Sequence, residues 1–248
     1  MIAALQTPEQ KKLFSDCVRG KPYFGALLGR DLALWADNPG APVKLFWADG
    51  AALAVSGRGA QLCGVPQNYE ETDAFLRFAG AERVTCSVPP PCWTLHRMLY
   101  LYTLEAGCRL PAGIMPTGLL WRDDPSVMEI AGHLFEGEPE RIEAFYSETC
   151  TAVAHGYAQV AALYDADGRQ VSTVGAYAMC GGEAYMAMGE TVENLRGQGI
   201  GGWLIVSFAN RLSAQGWRVS FLCEEKRRHF YDSLGFACTE KYGQYLLK

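Results

Sequence analysis

Residues 190–202 read Glu-Thr-Val-Glu-Asn-Leu-Arg-Gly-Gln-Gly-Ile-Gly-Gly, and the reading of this stretch decides the rest. Before it, 184–188 is an apolar run of strand length. After it, 203–212 is apolar at helical spacing. Between the two, 196–202 holds one arginine and four glycines in seven residues. A connection so poor in side chains, opening a helix, leaves backbone N–H groups free to face an anion. The helix dipole adds partial positive charge at the same place. The stretch therefore predicts a binding site for phosphate or pyrophosphate.

A P-loop needs a lysine after its glycines, and none follows here. The dinucleotide fingerprint Gly-x-Gly-x-x-Gly is met by Gly197, Gly199 and Gly202, and the acidic pair Glu224 and Glu225 ends the next strand, as a ribose ligand would. Two features oppose it. Polar Glu193 and Asn194 separate strand from glycines where the dinucleotide turn is immediate, and the tail after Glu225 is too short for further βαβ units.

A third pattern fits. Arg196-Gly197-Gln198-Gly199-Ile200-Gly201 resembles the Arg/Gln-x-x-Gly-x-Gly/Ala acyl-CoA signature of the GNAT N-acetyltransferases. Phe230-Tyr231-Asp232-Ser233-Leu234-Gly235-Phe236 is similar to that family's second motif, a short helix carrying Tyr and ending in Leu-Gly-Phe. The resemblance covers roughly 151–248. It implies an α+β fold of three layers, with a mixed, mostly antiparallel central sheet flanked by helices. It also implies acetyl-CoA as co-substrate, no metal, and a primary amine of a small molecule, peptide or protein as acceptor.

The same resemblance assigns the site. Gly197 to Gly202, with Gln198 and Ile200, would hold the pyrophosphate. Arg196 would either pair with phosphate or brace the loop. The strand Met186 to Val192, through Gly189, Thr191 and Val192, would pair with the pantetheine arm. N–H groups near Glu190 and Thr191 would hold the oxyanion. Tyr231 stands where the family places the proton donor to CoA sulfur, the alternative being a residue that only packs its helix. Glu190 is the candidate proton acceptor, alongside bound water or a purely solvated role. Glu183, at the far end of the strand, reads as a solvated strand-end carboxylate. Two positions depart from the family pattern: Glu224 where Asn is usual, and Arg227 where a small residue is usual. The basic run Lys226-Arg227-Arg228 either reaches the 3′-phosphate or is a solvated face.

The composition is that of a globular protein: 248 residues, 49 % hydrophobic and 20 % charged. A net charge of −5 speaks against a nucleic-acid surface and favours cationic partners such as amines. No run approaches the roughly 20 apolar residues of a membrane span. Nine scattered cysteines without a Cys-x-x-Cys pair suggest free thiols in a reducing cytoplasm. The four histidines show no ligand spacing.

Pro111 to Pro116, with glycines nearby, marks a boundary near 115 between domains 1–115 and 116–248. In the first, the pattern predicts a helix at 8–19 capped by Thr7, a hairpin around Asp49-Gly50, a helix at 69–78 with Phe75 and Phe78 on one face, and a strand at 83–88. Pro89-Pro90-Pro91 predicts an exposed connection, and the apolar stretch 93–104 predicts a core helix. This order resembles a GNAT domain that has lost its glycine loop; the alternative is an unrelated α+β domain. No internal repeat is visible in the sequence. In the second half a helix at 138–150 is expected to share a face of Ile142, Phe145 and Tyr146. A hairpin follows around Asp165 to Gly168, then strand, glycine loop, helix, strand, short helix and strand.

Overall fold

The structure, a computed structural model, describes residues 1–86, 88 and 93–247. The proline connection expected at 89–91 lies outside the described residues. Strand β1 (Ile2–Ala4) is followed by helices α1 (Pro8–Val18) and α2 (Pro22–Trp35), and by strands β2 (Lys44–Ala48), β3 (Ala51–Ser56) and β4 (Gly59–Gly64). Helix α3 (Tyr69–Phe78) and strands β5 (Arg83–Cys86) and β6 (Thr94–Leu104) complete a first pass. The second pass begins with β7 (Leu120–Arg122), α4 (Val127–Leu134) and α5 (Pro139–Ala154). It continues through β8 (Gln159–Tyr164), β9 (Gln170–Cys180), β10 (Glu183–Thr191), α6 (Ile200–Ala214), β11 (Arg218–Glu224), α7 (Arg228–Ser233) and β12 (Ala237–Leu246).

Both passes follow one plan: an edge strand, two helices, three antiparallel strands, a helix, a strand parallel to the third, and a final antiparallel strand. The structure thus repeats where the sequence shows no repeat. The final strands are exchanged. β6, from the first pass, pairs with β11, and β12, from the second, pairs with β5, while β6 and β12 pair with each other at the centre. The result is one sheet in the order β1-β2-β3-β4-β5-β12-β6-β11-β10-β9-β8-β7. The chain crosses residue 115 between the passes, but the sheet does not divide there.

Helices cover both faces, as an open sheet requires. On one face α2 buries Phe24 and Leu28 against Leu101 and Tyr242, with Tyr185 and Leu222 beside them. On the other, α6 buries Leu204, Phe208 and Leu212 against Val219, Phe221 and Cys223. The stripe expected on the helix after the glycine loop is therefore its buried face, and alternate residues of β11 serve opposite cores. Local signals hold at the caps: Thr7 Oγ1 accepts the Gln10 N–H while the Gln10 side chain accepts the Thr7 N–H.

Four expectations are corrected. The stretch 93–104 is not a helix; from Thr94 it is the central strand β6. Tyr100 to Leu104 are all buried because both sheet faces are covered, so the alternation that signals a strand is erased. Phe78 does not share the buried face of Phe75 but is 90 % exposed, and Tyr146 is likewise exposed on α5. Glu183 is not solvated. It is buried, and its carboxylate accepts Arg218 Nε at 2.9 Å and Nη2 at 2.5 Å, fixing the start of the β10–β11 pairing. Helices α2 and α4 and strands β1, β4 and β7 were not foreseen. Replacing the partner of a buried charge is expensive. Arg218→Met is expected to cost about 3 kcal/mol of unfolding free energy, measured by urea denaturation.

Candidate active site

The site begins where two strands part. β10 and β11 pair in parallel only from Glu183 to Tyr185 and from Arg218 to Ser220. Beyond this, β11 stays with β6 as far as Glu224, while β10 stays with β9 through two register shifts, between Tyr185 and Met186 and between Ala187 and Glu190. Met188 sits in the second irregularity with φ 53°, left-handed and unusual for a side chain of its size. Among the described residues the facing edges of Met186–Gly189 and Phe221–Glu224 consequently have no ladder partner, which leaves their polar groups open. They border a cavity of about 350 Å³, closed on one side by Ile205 of α6 and Tyr231 of α7.

The glycine loop follows β10. After a short 3-10 turn, Glu193–Leu195, Gly197 and Gly199 each take φ 79°, the left-handed region that glycine enters without steric cost. Gly199 caps α6: its carbonyl accepts the Trp203 N–H at 2.9 Å, and no side chain caps the helix. The first-turn N–H groups of Ile200, Gly201 and Gly202 are thus those a helix start leaves without intrahelical partners. Gly201 and Gly202 serve close approach instead. A Cβ on Gly201 would lie 2.8 Å from Thr191 Oγ1, and one on Gly202 would lie 3.2 Å from Leu234 Cδ2. Thr191 Oγ1 in turn shares a hydrogen bond of 2.9 Å with Ser172 Oγ.

Arg196 braces the loop. Its Nε donates to the Thr191 carbonyl at 2.9 Å and its Nη2 to Glu190 Oε1 at 2.8 Å. Glu190 is turned to Arg196 and does not line the cavity between the strands. Gly189 does line it, whereas Thr191 and Val192 lie beyond it, beside the loop.

Tyr231 does enter the site. Its ring packs on Phe221 with centroids 4.4 Å apart and on Tyr102 at 5.7 Å. No hydrogen bond engages its hydroxyl among the described residues. Burial raises its pKa above 10, only partly opposed by the positive charge of Arg227, so the phenol keeps its proton near neutral pH. Lys226 and Arg227 stand at the rim. Arg228 does not: its guanidinium lies 4.4 Å above the Tyr100 ring and pairs with Glu225. The wall of Met186 to Met188 belongs to the strand the sequence reading assigned to the cofactor, but the facing wall, Phe221 to Cys223, was missed, since only the register of two strands brings the two together. No group of three His, Cys, Asp or Glu able to hold a metal occurs among the described residues.

Among the described residues the first pass lacks such a site. β4 and β5 stay paired in parallel from Gly59 to Leu62 against Arg83 to Cys86. Its helix α3 starts with Asn68 accepting the Glu71 N–H, and Glu70 and Glu71 put negative charge where an anion would dock.

No protein-family model and no curated protein matches the chain. Solved structures do. A GCN5-related N-acetyltransferase from Kribbella flavida is 15 % identical over 82 % of this chain and 88 % of its own, with a TM-score of 0.60. A tandem GNAT protein from the clavulanic acid biosynthesis pathway is 13 % identical over 99 % of this chain and 97 % of its own, at 0.65. A GCN5-related N-acetyltransferase from Sphaerobacter thermophilus is 14 % identical over 99 % and 94 %, at 0.64. Likeness at such identities concerns the fold: a mixed α+β architecture with a mostly antiparallel open sheet flanked by helices, the GNAT fold.

The loop geometry generates a direct test. Gly199→Val forces a branched side chain into the left-handed region and is expected to cost about 1–2 kcal/mol. Gln198→Ala, at the exposed neighbouring position, should stay within about 0.5 kcal/mol. Thermal denaturation of the two variants measures the difference.

Proposed function

We propose that the protein is an acyl-CoA N-acyltransferase that moves an acetyl group from acetyl-CoA to a primary amine by direct attack in a ternary complex. The observation that carries this is the parting of β10 and β11, whose open edges lead to a helix start built of glycine. One end suits a pantetheine arm pairing like an added strand; the other suits a pyrophosphate.

The amine nitrogen attacks the thioester carbonyl carbon, and the carbonyl oxygen becomes an oxyanion. Backbone N–H groups on the free edge of β10 stabilise that charge. The carbon–sulfur bond then breaks, the CoA sulfur leaves as thiolate, and Tyr231 donates its phenolic proton to it. Glu190 was the sequence candidate for taking the amine proton. Its pairing with Arg196 and its position outside the cavity favour bound water for that step. Lys226 and Arg227 are placed to meet phosphate at the rim. The first pass is read as a GNAT-like unit without a cofactor loop. The eight cysteines among the described residues are free thiols, which supports a reducing, cytoplasmic setting. No helix among them is long and apolar enough to cross a membrane.

Thermal stability with acetyl-CoA, CoA, NADH and ATP tests the ligand. A hundredfold excess of ligand over Kd stabilises a folded protein by about 2.7 kcal/mol. A rise with acetyl-CoA and CoA supports the proposal, and a rise with NADH alone overturns it. Binding without thiol release across a panel of amines would make the chain a CoA-binding scaffold instead. Tyr231→Phe is expected to lower kcat about 100-fold while leaving the KM for acetyl-CoA near its original value. Because the acid must be protonated and burial raises its pKa, the loss of rate attributable to Tyr231 should set in at higher pH than an ordinary tyrosine would give.

A further inference from the structure

Leu222, Cys223 and Glu224 border two cavities. The first is the cleft between β10 and β11. The second, of about 310 Å³, opens on the α2 face of the sheet. Successive residues of β11 point to opposite faces, so the two cavities lie on either side of the parted strands. If the acyl donor occupies the cleft, a nucleophile reaching the same carbonyl from the other face must stand in the second cavity.

The lining of that cavity is polar and comes from both passes. The Tyr23 hydroxyl, on α2, donates to Gln61 Oε1 of β4 at 2.9 Å. Thr85 of β5 is buried and its hydroxyl makes no hydrogen bond among the described residues. Arg97 of β6 donates from Nε to Gln244 Oε1 at 2.9 Å and from Nη1 to Glu224 Oε1 at 2.5 Å. Glu224 Oε2 meets Lys226 Nζ at 2.9 Å. The cavity therefore presents one cation and one anion side by side, with hydroxyl and amide groups further in. Its volume is at the small end of ligand pockets.

From this arrangement, and resting on the acyl-transfer reading, we infer that the second cavity takes a small amine that also carries a carboxylate, an amino acid or close analogue, with Arg97 binding the carboxylate and Glu224 the ammonium group. The side chains of Arg97 and Glu224 are 41 % and 35 % exposed, so their mutual pairing is weak and opens at little cost. A zwitterion inserted between them gives each charge a new partner, and the planar guanidinium can grip a carboxylate through two N–H groups. An amine without a carboxylate takes Glu224 and leaves Arg97 unpaired, which is how such a site discriminates. Glu224 suits the ammonium because Lys226, and then Arg97, hold it below its ordinary carboxylate range and keep it charged. It anchors the substrate and is not the proton acceptor. The nitrogen then stands beside the gap. The first pass has a task here: Tyr23, Gln61, Thr85 and Arg97 all precede residue 115.

The experiment compares the twenty proteinogenic amino acids with the amines left by formal loss of their carboxyl group, using acetyl-CoA and following thiol release. At least one amino acid should exceed its matched amine in kcat/KM by about tenfold or more. Arg97→Met should raise the KM for that amino acid by a similar factor, leave the matched amine no worse or improve its use by freeing Glu224, and leave the acetyl-CoA thermal response intact. Arg97→Lys should recover part of the loss. Equal use of amines and amino acids, or equal loss for both in Arg97→Met, overturns the inference while preserving the transferase. If acetyl-CoA gives neither stabilisation nor turnover, the transferase reading fails. Calorimetric titration of the same amino acids into the wild type and Arg97→Met then decides the pocket by itself. Binding lost in the variant supports it, and absence of binding to the wild type overturns it.

Discussion

The molecule depends on a parallel pairing that stops after three residues. A parallel ladder extended to the ends of β10 and β11 would be more stable as a sheet and would leave no open edge between them. Its termination is arranged by both neighbours. β9 holds β10 through two irregularities, β6 holds β11 without one, and the buried Glu183–Arg218 pair pins the point from which the strands diverge. The left-handed Met188 belongs to the same arrangement, since strain of this kind persists only where surrounding structure over-determines it.

The glycine loop, Tyr231 and the cavities are consequences of that divergence. The loop lies beyond the end of β10, so a ligand lying along the open edge arrives at the start of α6. Tyr231 reaches the cleft because α7 follows β11 after a single 3-10 turn and its ring packs at a tilt on Phe221. The pairs Tyr23–Tyr185 and Phe24–Tyr242, with ring centroids 4.9 Å and 5.0 Å apart, tie α2 to strands of the second pass, so the opposite wall is set by packing between the passes.

Much of this was legible in the sequence. The glycine loop, the helix after it, the Tyr231 helix and both hairpins follow from local chemistry: left-handed positions, caps and hydrophobic period. What was not legible depended on pairing. β6 hides its alternation because both faces are covered, so its apolar run looked like a helix. Glu190 could not be oriented by counting along the strand, because the irregularity around Met188 breaks the two-residue alternation. Glu224 stood out as one of an acidic pair at a strand end and as a departure from a family pattern, neither of which gives its partner. Its neighbour Arg97 lies 127 residues away in the chain, and only the exchanged strands bring them together.

The exchange of β6 and β12 has a consequence for how the chain acquires its shape. During synthesis the first pass emerges with β5 as an open edge, and the partner of that edge, Gly243 to Leu246, follows only after β7 to β11 have been made. β6 waits as well, for β11 on one side and β12 on the other. The centre of the sheet therefore closes only once β12 has been made. Until then the nascent protein carries exposed strand edges of the sort that recruit chaperones.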